Sequence, residues 1–107
     1  MRFQNRAAIV TGGARGIGLA IAEALAREGA GVVVLDPGGA KDGRVEEGLP
    51  AEQAAARIRA AGGRAIACNE SVADFDACGR AVSMCIENFG SVDIVINNAG
   101  VLRPKMV

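Results

Sequence analysis

The chain has no tyrosine, no histidine and no tryptophan. Tyrosine and histidine are among the side chains that most often move protons at carbonyl and hydroxyl groups, so the usual acid–base partners of that chemistry are missing. Ser71, Ser83 and Ser91 therefore have no histidine to activate them, and a serine–histidine nucleophile is excluded. The three cysteines, Cys68, Cys78 and Cys85, are odd in number and form no C-x-x-C pair. Neither a disulfide framework nor a zinc site is expected, and they read as small buried hydrophobes. There is no excess of charge: twelve basic residues balance twelve acidic ones. That balance argues against a nucleic-acid partner or an anionic membrane surface. No apolar run approaches the ~18 residues of a membrane span. The short run Ala7–Val10 is no signal-peptide core, so a cytoplasmic protein is expected. At 107 residues the chain is one domain at most.

What is present is an alternation. Four apolar, β-branched runs have strand length: Ala7–Thr11, Gly31–Asp36, Arg64–Cys68 and Val92–Asn97. Their near-continuous apolarity suits strands buried on both faces, as in a parallel sheet. Three helical patterns lie between them. The first puts Ile17, Ile21, Ala24 and Leu25 on one face, with Glu23 and Arg27 outside. The second, from about Pro50 to Ala61, groups Ala54, Ile58 and Ala61. The third groups Phe75, Cys78, Val82, Cys85, Ile86 and Phe89, behind the capping-box sequence Ser71-Val72-Ala73-Asp74. Gly29, Gly62-Gly63 and Gly90 stand where helices stop. The order β-α-β-α-β-α-β demands right-handed crossovers and a parallel α/β sheet. Residues 37–49, rich in glycine and charge, form a surface excursion.

Three short segments carry chemistry. Thr11-Gly12-Gly13-Ala14-Arg15-Gly16-Ile17-Gly18 joins the first strand to the first helix. A glycine-rich turn ahead of a helix start presents free N–H groups and a positive dipole end, which suit a diphosphate. Gly12 allows the tight turn, Gly16 the close approach of an anion, and Gly18 close packing of helix on sheet. Asp36, ending the second strand, can accept both hydroxyls of an adenosine ribose. Hydrogen bonds to a charged group are worth ~1.5–3 kcal/mol, and the same charge repels a 2′-phosphate. NAD is therefore favoured over NADP, with Arg15 in the turn as the competing signal. Asn97-Asn98-Ala99-Gly100 follows the fourth strand, which in a doubly wound sheet lies beside the first at the topological switch point.

In this order and spacing, T-G-G-A-R-G-I-G at 11–18, Asp36 and N-N-A-G at 97–100 resemble the N-terminal half of a short-chain dehydrogenase/reductase. The resemblance runs from Ala7 to about Arg103. It implies a truncated, Rossmann-type doubly wound sheet of four strands in the order 3-2-1-4 with three helices. Residues 1–107 would be a partial dinucleotide-binding domain whose catalytic half is absent. It further implies that Gly12, Arg15, Gly16, Ile17 and Gly18 surround the diphosphate and adenosine, and that Asp36 binds the adenosine ribose. Glu70 and Ser71 stand where the family places an adenine-binding carboxylate. Asn98, Ala99 and Gly100 would flank the nicotinamide side. The complete protein would transfer a hydride between NAD(P) and an alcohol or ketone carbon. The excursion after Asp36, with Ala61-Gly62-Gly63-Arg64-Ala65 and Val101-Leu102-Arg103, is similar to the hydroxyacyl-CoA dehydrogenase branch related to multifunctional β-oxidation enzymes.

The family's tyrosine acid/base, with a lysine four residues later, has no match here. The lysines are Lys41 and Lys105, and Val101 stands four residues before the latter. No catalytic residue is therefore assigned and no metal site is expected. The alternatives are a non-catalytic dinucleotide-binding module or a nonfunctional truncated remnant. The fourth strand is expected to be an apolar sheet edge open to aggregation. The first strand is expected to be incompletely covered, the domain marginal or partly molten, and most family oligomer contacts absent.

Overall fold

The computed structural model describes residues 3–12, 14, 16–36, 50–69 and 75–97. They form β1 (Ala7–Thr11), α1 (Gly16–Arg27), β2 (Gly31–Leu35), α2 (Pro50–Ala60), β3 (Arg64–Cys68), α3 (Phe75–Phe89) and β4 (Ile94–Asn97). The four strands make one sheet in the order β3-β2-β1-β4, every neighbouring pair parallel. The expected doubly wound α/β sheet is thus observed.

The sheet divides the core by simple alternation. Val10, Val32 and Val34 point to the side covered by α1 and α2, where Ala22, Ala26, Ala54 and Ile58 meet them. Ile9, Val33 and Leu35 point the other way, to Ala81 and Cys85 of α3. Successive strand side chains face opposite sides, so each buried run fills both layers at once. All residues of β1 and β2 are buried, while the outer strands β3 and β4 are only partly covered.

Two helix ends show why their glycines are needed. Gly29, at φ 98°, donates to the Ala26 carbonyl while Ala30 donates to that of Leu25. Gly62, at φ 96°, donates to Arg59 while Gly63 donates to Ile58. This paired closure of the last turn requires a left-handed residue, and it turns each chain directly into the next strand.

Several expectations are corrected. On α1 the buried residues are Gly18, Ala22 and Ala26, whereas Ile17 and Ala24 are exposed and Ile21 and Leu25 half-buried. Glu23 is not on an outer face: its carboxylate meets Arg57 Nε of α2 at 2.6 Å. On α2, Ala61 is exposed, and Ala51 and Ala55 join Ala54 and Ile58 in the core. On α3 the buried line is Ala77, Ala81 and Cys85, leaving Val82 and Ile86 exposed. The reason is common to α1 and α3. A helix lying close to a sheet faces it with its smallest side chains, and larger ones are displaced to the flanks. β1 is also fully covered, because α3 lies across Ala7 and Ile9. Of the cysteines, Cys68 and Cys85 are buried and Cys78 half-buried; all are free. The capping-box sequence 71–74 and the excursion 37–49 lie outside the described residues.

β4 begins at Ile94, not Val92, because Asp93 turns its side chain into the ladder. Asp93 Oδ2 accepts from the Ala7 N–H at 2.9 Å and from Ser91 Oγ at 2.7 Å, and the Asp93 N–H donates to the Ala7 carbonyl at 2.8 Å. The Ser91 hydroxyl first, then the Ala7 amide and the charge of Arg6, hold this carboxyl below the ordinary carboxylate range. Burial, and then the nearby Asp93 charge, push the Cys85 thiol up; that thiol donates to the Ser91 carbonyl at 3.2 Å.

Candidate dinucleotide site

The register aligns Thr11, Leu35, Cys68 and Asn97 across the carboxyl ends of the strands. Gly12 follows at φ 63° and donates its N–H to the Leu35 carbonyl at 2.8 Å. That bond sets the turn leaving β1 against the end of β2. Asp36, the next residue of β2's chain, donates its own N–H to the Cys68 carbonyl at 3.1 Å. Gly12 and Asp36 are thus brought to one end of the sheet, as expected.

Ala14 is buried in the core cluster and anchors the turn, and α1 begins at Gly16. Gly16 sits at φ 57°, and a Cβ built there would meet no atom of the described residues beyond its own neighbours in the chain within 4 Å. The main chain at the helix start therefore faces open space, where an anion can approach N–H groups that have no helical partner. No acidic side chain stands in that first turn to oppose an anion. Ile17 is 73% exposed beside it, while Gly18 is buried against the sheet. Arg15, Glu70, Ser71, Asn98, Ala99 and Gly100 lie outside the described residues.

Three residues not assigned from the sequence also belong to this end. The Thr11 hydroxyl lies 3.2 Å from both the Ile96 carbonyl and Asn97 Oδ1, tying β1 to β4 at the point where the strand order reverses. Both residues sit within the motifs already recognised, as the first letters of T-G-G-A and N-N-A-G. Asn69, directly after β3, donates from Nδ2 to Glu52 at 3.4 Å, while its buried Oδ1 has no hydrogen-bond partner among the described residues. A groove of about 460 Å³ beside Arg27, Arg57 and Gly63 lies at the C-terminal ends of α1 and α2, away from this end of the sheet. No cluster suited to a metal ion occurs among the described residues, and no described helix is long and apolar enough to cross a membrane.

A glycine turn, a helix start and an acid after β2, gathered at the carboxyl end of a parallel sheet, define a Rossmann-type dinucleotide-binding fold. The chain belongs to the short chain dehydrogenase family, whose profile matches residues 6–107. It is 44% identical over 100 residues to a short-chain type dehydrogenase/reductase of Mycobacterium tuberculosis, covering 94% of this chain and 35% of that protein. It is 42% identical over 103 residues to peroxisomal multifunctional enzyme A of Dictyostelium discoideum, covering 96% of this chain and 23% of that one. The crystal structure of a short chain dehydrogenase from Mycobacterium avium superposes with a TM-score of 0.83 at 42% identity, covering 100% of this chain and 37% of that chain. The chain thus spans between about a quarter and just over a third of the length of these relatives. Members of this family bind NAD(P), and the open turn at Gly16 and the unpartnered Asn69 carbonyl fit such a ligand.

Proposed function

We propose that this chain holds NAD for an oxidoreductase that moves a hydride between the nicotinamide and an alcohol or ketone carbon. The observation that carries the reading is the convergence of Gly12, the open main chain at Gly16 and Asp36 at one end of the sheet. Amides at the start of α1 hold the diphosphate, with Arg15 and Ile17 beside it and Gly18 letting the helix lie close. Asp36 accepts the adenosine ribose hydroxyls and disfavours a 2′-phosphate, which selects NAD over NADP. Asn69 Oδ1, with Glu70 and Ser71 following, offers an acceptor to the adenine amino group. Asn98, Ala99 and Gly100, which follow Asn97 in the sequence, flank the nicotinamide side. The bound nicotinamide supplies the hydride chemistry; the residues of this chain bind and orient it.

Likeness to peroxisomal multifunctional enzyme A supports a 3-hydroxyacyl-CoA as the substrate of the complete enzyme. Free cysteines fit a reducing compartment, the cytoplasm. A second reading is a non-catalytic dinucleotide-binding module. An open reading frame continuing into a Tyr-x-x-x-Lys segment decides for the enzyme.

Calorimetric titration tests the binding claim. NAD⁺ should bind more tightly than NADP⁺, and Asp36→Ala should weaken NAD⁺ by about ten- to a hundredfold. Equal affinity of the two chains for NAD⁺, or tighter NADP⁺ binding by the parent, would refute it.

A further inference from the structure

The end of the molecule opposite the dinucleotide carries a groove of its own. α1 and α2 both stop there, and Ala26, Ile58, Ala61, Gly62 and Gly63 floor a volume of about 460 Å³. Close contact fixes that floor. A Cβ at Gly63 would come within 2.8 Å of Ile58 Cγ2 and 3.1 Å of the Ala26 Cβ, so glycine is what lets the two helices close here. At Gly62 a Cβ would meet no atom of the described residues beyond its chain neighbours within 4 Å, and Ala61 and Gly62 are exposed. A second hollow of about 340 Å³ continues from Ala26, Gly62 and Gly63 to Ala30. Volumes of this order suit a small molecule.

The rim is charged. Glu23 meets Arg57 Nε at 2.6 Å, and the Arg57 side chain is still 68% exposed. Arg27 is exposed and has no hydrogen-bond or ion-pair partner among the described residues. The neighbouring arginines are committed elsewhere. Arg59 Nη1 donates to the Ala65 carbonyl and Arg64 Nη2 to the Gly29 carbonyl, each at 2.8 Å. Glu23, Arg27 and Arg57 together leave one net positive charge on the rim, carried by Arg27. Helix C-termini ordinarily oppose an anion. Here the N–H groups of Gly29, Ala30, Gly62 and Gly63 have already taken closing carbonyls of both helices, so the guanidiniums set the sign.

We propose that this groove binds a small organic monoanion, a carboxylate bearing an unbranched apolar chain. The carboxylate pairs with Arg27, whose planar fork suits both of its oxygens. The chain lies along Ala61 and Gly62 toward Ala30, where it covers apolar surface. Glu23 selects against a phosphate dianion, whose second charge would stand beside that carboxylate without a partner. The groove shares no residue with Gly12, Gly16 or Asp36, so its ligand and the dinucleotide do not compete.

Two-dimensional NMR of the 107-residue chain, titrated with octanoate below its micelle concentration, reads the outcome. Octanoate should shift the amides of Arg27, Ala61, Gly62 and Gly63 saturably, and excess NAD should leave that titration unchanged. Arg27→Gln should weaken octanoate about fivefold with an unaltered circular-dichroism spectrum. Ala61→Glu, which adds a like charge at an exposed position, should weaken it independently. Acetate and octyltrimethylammonium at the same concentrations should leave these amides in place. Absence of a saturable octanoate shift would overturn the proposal, as would one with the same midpoint in Arg27→Gln. Equal response to acetate would reduce the groove to a surface charge, and equal response to the cation would give it the wrong sign; either result overturns it. Displacement of octanoate by NAD would place the ligand at the other end of the sheet and overturn it too.

Discussion

At the scale of single residues, the binding reading turns on a glycine with nothing beside it. Gly16 holds a left-handed φ, and the space its missing Cβ would occupy is open. An alanine there meets none of the described residues beyond its chain neighbours; it carries the backbone cost of that conformation, about 1–2 kcal/mol. Its methyl group would instead stand between the helix start and an incoming diphosphate. Gly16→Ala is therefore expected to reduce affinity for NAD and for ADP alike, at least tenfold, with a modest loss of thermal stability. Titration with both ligands checks it, since a purely structural role would shift the melt and spare the affinity. Asp93 acts at the opposite end of β1. Its carboxyl is held below the ordinary range chiefly by the Ser91 hydroxyl, so it favours the folded state while ionised. A lowered carboxyl gives a contribution that is full above its unfolded-state titration and is lost as pH falls through the folded one. Asp93→Asn should thus melt below the parent at neutral pH. The gap between the two melting temperatures should narrow below the usual carboxylate range. A gap constant with pH would show that the charge plays no part.

At the scale of elements, packing follows size more than hydrophobicity. α1 turns Gly18, Ala22 and Ala26 to the sheet, and α3 turns Ala77, Ala81 and Cys85. The same demand for closeness appears at Gly31, where a Cβ would come within 2.5 Å of the Phe89 ring. Gly31→Ala is expected to destabilise by about 1–3 kcal/mol through overpacking. Phe89→Leu in the same chain should recover part of that loss. Additive effects of the two changes in a denaturation series would mean that the ring and the strand do not meet as described. This preference explains which parts of the architecture were legible beforehand. Strand positions and parallel sense follow from apolar runs and glycine stops, because a buried strand is apolar on both faces and leaves an unbroken signal, whereas the order across the sheet followed from the family resemblance. Helix facing was misread, because a pattern weighted by apolar bulk selects Ile17, Val82 and Ile86. Close approach to a sheet instead selects glycine, alanine and cysteine. At the carboxyl end of the sheet, the positions of Gly12, Gly16 and Asp36 were legible from the glycine turn and the end of the second apolar run. Asn69 was not, because its significance is an acceptor left unpaired by its surroundings, which no spacing encodes.

For the molecule as a whole, stability and binding are linked through the same end of the sheet. The core lies in two layers, one on each face of the sheet, and the radius of gyration, 13.1 Å, is that of a compact domain of ~100 residues. Its layers nevertheless rest largely on alanines and valines, whose burial contributes less per residue than that of larger side chains. A ligand that joins the end of β2 to the turn after β1 and the start of α1 must be released before those elements separate. It then stabilises by mass action, by about 2.7 kcal/mol at a hundredfold excess over its dissociation constant. For a domain of this size that corresponds to a rise in Tm of roughly ten to twenty degrees. Scanning calorimetry along an NAD series is expected to show a steady rise, much reduced in Asp36→Ala and Gly16→Ala. A Tm indifferent to NAD in the parent chain would separate the fold from the function proposed for it. A rise that survives both site substitutions would place the ligand elsewhere on the molecule.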